Sequence, residues 1–188
     1  MPYDIDNPNQ CFRVAFGNLV FGITLDRDLA EKVMDDYICS IYTTLNGGVA
    51  LGLVPNLAEE LLELNGRSGF VGKLYLDKSV TPDTSGLRGR YGRAHEQEFT
   101  TAINCNIDDG RIIFSDSLNV IRNMNFGKQS IPILSGLRDG KQKLHAVYAE
   151  RNGTWWDYDG ERIEGDHPYR ATPLKGIFFL REPGQVIL

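Results

Sequence analysis

Three residue types in this chain can combine into nucleophilic chemistry. Cys11 ends the polar, proline-containing turn DNPNQC and precedes FRVAFGNLV, which turns apolar at helical spacing. A thiol attacks as its thiolate and needs a base or a positive charge nearby to reach that form. A helix N-terminus adds unpaired N–H groups that favour negative charge. His145 opens the apolar run HAVYA, and Asp157 and Asp159 follow in TWWDYD. An imidazole can take the thiol proton, and a carboxylate can fix the imidazole's tautomer. Together these residues point to acyl transfer through a thioester. Taken singly they read as a buried or surface thiol, a structural strand histidine and a solvated strand edge.

Which aspartate reaches His145 depends on the intervening turn. A two-residue turn at Asn152-Gly153 sets His145 opposite Gly160 and turns both acids to the other face. A three-residue loop, Arg151 to Gly153, sets His145 opposite Asp159 with Asp157 diagonal to it. The sequence leaves both registers open. The second makes chemical use of an acid, and Asp159 is its preferred partner, with Asp157 the alternative.

The elements that must position these groups follow from periodicity. Phe12, Ala15, Leu19 and Val20 predict a helix from Gln10 to Phe21, although Gly17 weakens it. Asp26 is a candidate N-cap for a second helix reaching about Thr43, with Leu29, Val33, Tyr37 and Ile41 on one stripe. Pro55 to Leu64 reads as a third helix. Strands are expected at Phe70 to Leu76, Phe99 to Cys105 and Arg111 to Phe114, and a short helix at Ser117 to Met124. The last third is strand-rich: Ile131 to Leu134, Leu144 to Ala149, Thr154 to Asp159 and Leu174 to Leu180. Residues 79–94, with PDTSGLRGRYGR, read as a long, mobile loop. Helices first and strands last, without a βαβ rhythm, predict one α+β domain in which N-terminal helices pack on a C-terminal antiparallel sheet.

Other signals carry less. Cys39 lies inside the second helical stripe and reads as a core thiol. Three cysteines, widely spaced, argue against a disulfide framework and against a zinc knuckle. His95 has Glu96 and Glu98 beside it but no third convergent ligand, so no metal is expected. His167 reads as a turn residue. NGGVALG, at Asn46 to Gly52, has no following Gly-Lys-Ser/Thr and reads as a connector rather than a phosphate loop. Trp155 and Trp156 point to opposite faces of a strand. Trp155 is a candidate for substrate contact, as is Arg93, which with Arg88 and Arg90 offers charge to an acidic partner.

The 188 residues carry 41% apolar and 24% charged side chains, ordinary for a globular chain with a sizeable core. A net charge of −5 does not favour nucleic acid. No apolar run reaches transmembrane length, so no membrane partner is expected. MPYDIDN has no basic segment before an apolar core, so a cytoplasmic location, or export without a cleaved signal peptide, is expected.

NPNQCF at Asn7 to Phe12 resembles the cysteine turn of the papain-like cysteine peptidases, broadly defined to include ubiquitin-specific, bacteriocin-processing and viral leader proteases. HAVYA with NGTWWDYD is similar to their histidine–acid hairpin, and IPIL and LKGIFFL to flanking sheet strands. The resemblance covers the two ends of the chain and leaves residues 25 to 110 aside. It implies a papain-like fold, Cys11 as nucleophile, His145 as base, Asp159 as orienting acid, no cofactor, and a protein or peptide substrate. That family places an oxyanion-hole amide five or six residues before its cysteine. Ile5 and Asp6 stand there in this chain, and Asn7 and Gln10 are the nearest candidates. Peptidase, deamidase and transglutaminase chemistry share this machinery. The competing reading is a non-catalytic protein-binding module or an inactive papain-like effector.

Overall fold

A computed structural model describes Tyr3 and residues 7–125, 127–138 and 141–184, with backbone alone at 137, 138, 141 and 142. A 3₁₀ turn, Pro8–Gln10, leads into α1, Cys11–Thr24. Phe12, Ala15, Phe16, Leu19 and Val20 are buried along one stripe of α1. Each large side chain of that kind stabilises the fold by about 1.5–3 kcal/mol relative to leaving it exposed. Gly17, unfavourable in a helix interior, has a packing reason. A Cβ there would lie 2.3 Å from Met34 Sδ, so glycine lets the next helix approach closely.

That helix is α2, Arg27–Tyr37, and Asp26 caps it by accepting the Leu29 N–H at 3.0 Å. It stops six residues short of the expected end. The chain turns over Ser40 and Thr43, whose carbonyls accept from Arg90, and Ile38 and Ile41 stay half exposed. Cys39 is therefore exposed rather than a core thiol. Helix α3, Val54–Leu64, buries Leu57, Ala58, Leu61 and Leu62 against β1, Val71–Asp77.

The stretch 79–94 is less of a loop than its composition predicts. It holds a 3₁₀ turn, Ser85–Leu87, and the short α4, Arg88–Tyr91, with Leu87 buried. Residues 99–105 are not a strand. They lie in α5, Glu96–Asp108, where Phe99, Ile103 and Asn106 are buried at helical spacing. The side-chain amide of Asn106 fixes that helix by donating to the Gly52 carbonyl at 2.9 Å. Strand β2, Ile112–Ser115, and helix α6, Leu118–Met124, follow as expected.

The remaining elements are β3, Ile131–Arg138; β4, Lys141–Ala146; β5, Tyr148–Ala149; β6, Trp155–Trp156; β7, Arg162–Ile163; α7, Pro168–Ala171; and β8, Leu174–Arg181. The five-stranded sheet runs β2-β1-β8-β3-β4, and β5-β6-β7 form a second, antiparallel sheet. The α+β class holds, but the main sheet is mixed, because β1 and β2 pair in parallel. It also recruits strands from the middle of the chain rather than from its end alone.

Along β8, Phe178 and Leu180 face the helices α1 to α3, while Ile177 and Phe179 face α6 on the opposite side. This alternation is the two-residue period of a strand covered on both faces. Among the described residues no helix is long and apolar enough to cross a membrane.

Candidate active site

Helix α1 packs on β3, β4 and β5, and its first residue is Cys11. The Ala146 N–H of β4 donates to Cys11 Sγ at 3.5 Å. The sheet geometry explains why that donor is available. Ser135 N–H turns to the Pro173 carbonyl and Val147 N–H to the Pro132 carbonyl. The paired residues Ile133↔Ala146 and Ser135↔Leu144 are therefore the positions that do not exchange bonds. Ala146 N–H points off the sheet edge, and the sulfur takes it.

His145 lies beside this contact with its side chain 15% exposed. Its Nε2 is 2.7 Å from Asp157 Oδ1, which also accepts the Tyr158 N–H at 2.8 Å. The thiol of Cys11 lies close enough to the ring to favour its charged form. With Nε2 committed to the acid, Nδ1 is the nitrogen that remains for sulfur. Tyr169 packs on the imidazole at 5.0 Å between ring centroids, and Tyr158 meets it edge-on at 6.0 Å.

Burial opposes charge on His145. The hydrogen bond that Asp157 accepts, with the nearby Cys11 thiol and the charges of both groups, outweighs that penalty and pushes the imidazole up from 6.5 to about 10. The charged form of the ring is thus favoured beside the carboxylate and the sulfur. A group raised in the folded state adds stability that is complete below about pH 6.5 and is lost as pH rises through about 10. Urea unfolding of native protein and H145Q at a series of pH values tests this. The stability difference in favour of the native protein should shrink steadily from pH 7 to 10, and a constant difference would contradict it.

The carboxylate that bonds His145 belongs to Asp157, the alternative, and not to Asp159, the preferred partner. The three-residue loop is present: Glu150 N–H bonds the Thr154 carbonyl, and Tyr148↔Trp156 and Ala149↔Trp155 are paired. Extrapolated, that register would set His145 opposite Asp159. The ladder ends first. Val147 separates β4 from β5, which belong to different sheets, and β6 has only two residues. The chain then closes a turn from Asp157 to Gly160, whose φ of 81° suits glycine. Asp157, nearly buried, leads that turn and reaches back to the histidine. Asp159 is exposed and accepts the Glu161 N–H at 2.9 Å.

Cys11 and His145 open on a cavity of about 540 Å³, within the roughly 300–1,000 Å³ of ligand pockets. Its floor is apolar, with Phe12, Val54, Ile133 and Leu134. Thr44, Asn46, Gly48 and Val49 also line it, part of the connector that carried no signal in the sequence.

Other expected contacts fall elsewhere. Neither Asn7 nor Gln10 is among the residues lining the cavity. Asn7 caps the 3₁₀ turn by accepting the Asn9 N–H at 3.0 Å, and Gln10 Oε1 accepts from Arg13 Nη1 at 2.7 Å. Asn9 lines the cavity two residues before the cysteine, nearer to it than the family's usual amide position. Trp155 is 1% exposed in a small core with Leu134 and Val147, so it offers no surface to a substrate. Arg93 is exposed and lies off the cavity lining. His95 is exposed, 3.4 Å from Glu98, and His167 caps α7. No protein-family profile, no curated protein and no solved structure matches this chain.

Proposed function

We propose that this chain is a cysteine-dependent acyl-transfer enzyme of papain-like type that acts on an amide bond of a protein or peptide. The observation that carries the reading is the imidazole of His145 bonded to the Asp157 carboxylate, with Cys11 and His145 on the lining of one open cavity. Cys11 at the head of a helix packed on the strand that bears His145 supports the papain-like assignment.

In this reading the sulfur attacks the amide carbonyl and a tetrahedral oxyanion forms. The C–N bond then breaks, and His145 gives its proton to the departing amine. Water attacks the remaining thioester, giving one proton to His145 and releasing the carboxylic acid and the Cys11 thiolate. Asp157 keeps the ring oriented and compensates its charge throughout. The test compares native protein with C11A and H145A on a protein extract. Mass spectrometry should find new termini, or glutamine converted to glutamate, that both variants lose. No such product with the native protein would overturn the reading.

The oxyanion needs donors, and the Cys11 backbone N–H with the Asn9 amide is the pair this cavity offers. Asn9→Ala should lower kcat about 10²-fold, the cost of one oxyanion donor. Asn7→Ala should cost about 1 kcal/mol of stability as a lost cap and leave kcat nearly unchanged. The reverse pattern in steady-state kinetics would return the role to Asn7. The displacement of Asn7 and Gln10 from the cavity favours one second reading, an inactive relative that binds protein partners through the same cleft. Persistence of its biological effect in C11A would select that alternative.

A further inference from the structure

Helix α7 is only four residues long, yet it sits between the small sheet and the imidazole. Its Tyr169 lies against His145, and the next residue, Arg170, reaches the other way. Arg170 Nη2 donates to the Gly153 carbonyl at 2.8 Å, at the end of the loop between β5 and β6. Nη2 and Nε both reach the Ile163 carbonyl on β7, at 3.2 Å. The guanidinium also covers the Trp155 ring of β6 at 4.1 Å. One side chain therefore ties the hairpin loop, β6 and β7 to the helix that backs the histidine. Asp157 is the first residue after β6.

We propose that Arg170 is a positioning residue that holds Asp157 and Tyr169 in register around His145. The role in turnover rests on the acyl-transfer reading above; the geometric role does not. Short strands explain the need. β5, β6 and β7 have two residues each, too few ladder bonds to fix a carboxylate to the tolerance that a hydrogen bond demands. The guanidinium fork supplies bonds to two carbonyls and a stacked face at once, which a lysine ammonium cannot reproduce. Burial lowers the charge preference of Arg170, so the fold spends stability to keep it there.

Arg122 provides an internal control. It covers the same Trp155 ring, at 4.5 Å, from α6, without the two carbonyl contacts that Arg170 makes. The His145 imidazole is titrated by NMR in a C11A background, so that the remaining displacement reports Asp157, with exposed His95 as reference. In R170K the midpoint should fall by about one pH unit or more, the scale of a displaced ion-pair partner. Tyr158 and Tyr169 are the other groups that face the ring, and a displacement of Tyr169 in R170K belongs to the same loss of register. In proteins that keep Cys11, R170K should lower kcat about ten- to a hundredfold with KM nearly constant, as for a small misplacement of reacting groups. R122M should leave both measurements at native values.

A native midpoint and native kcat in R170K would overturn the proposal. Equal losses in R122M would also overturn it, because they would trace to packing around Trp155 alone. If the native protein shows no turnover, the acyl-transfer reading fails, and the titration still decides whether Arg170 sets the acid.

Discussion

Limiting iodoacetamide should modify Cys11 ahead of Cys39 and Cys105, and C11A should lose turnover on the order of 10⁴-fold or more. Access alone predicts the opposite order of labelling, because Cys39 and Cys105 are exposed while Cys11 is partly covered. The difference is the partners. Cys11 has nearby an imidazole whose charged form is favoured, and it accepts the Ala146 N–H, at the head of a helix of 14 residues. A positive charge and N–H donors beside a sulfur speed its alkylation, whatever the surface area. Peptide mapping after partial reaction reads the order directly. The same experiment in H145A should level the three rates, because the cation beside the sulfur is gone. Preferential labelling of Cys39 or Cys105 in the native protein would mean that the His145 contact does not activate the thiol. C11S tests the point chemically. A hydroxyl fits the space, but its far higher pKa leaves the imidazole too weak a base to make it an effective nucleophile in a site built for a thiol, so activity should stay lost.

The sequence made part of this arrangement legible because part of it is local. The stripe of Phe12, Ala15, Leu19 and Val20 is written in one helix, and so is the position of Cys11 at its head. The strand bearing His145 and the three-residue turn after it are local as well. What failed was extrapolation across a break. The register from Tyr148↔Trp156 points to Asp159, and no local signal says that Val147 ends one sheet and begins another. Residues 99–105 failed for a related reason. FTTAINC is rich in β-branched and aromatic types, yet Phe99 and Ile103 share a face four residues apart. Burial against Ala50, Leu53 and Leu87 settles the helix. The cavity wall at Thr44 to Val49 comes from a connector without a motif, and Tyr169 reaches His145 from a four-residue helix. Both are products of tertiary packing, and only the folded chain displays them.

Asp157→Asn should lower kcat by about 10³- to 10⁴-fold, while Asp159→Asn should remain within about twofold of native. The two acids are two residues apart in one turn, so the comparison holds the local sequence nearly constant. Asp157 is 5% exposed and accepts from both His145 and the Tyr158 N–H through one oxygen. An amide in its place keeps the volume, but its NH₂ group cannot accept from the imidazole. If the oxygen stays toward Tyr158 N–H and His145, the ring loses its counter-charge and the sulfur loses a stable cation. If the amide flips, two donors face each other and the ring turns to the wrong tautomer. Either outcome reaches Cys11 through His145, so kcat falls more than KM rises. The imidazole midpoint in D157N should drop well below about 10, because a main support of that value has been removed. Among the described residues Asp159 accepts the Glu161 N–H in an exposed turn, and asparagine replaces it there with little loss. Full activity in D157N together with loss in D159N would place the acid where the strand register alone had put it. Equal, small losses in both would leave Cys11 and His145 acting as a pair without a third member.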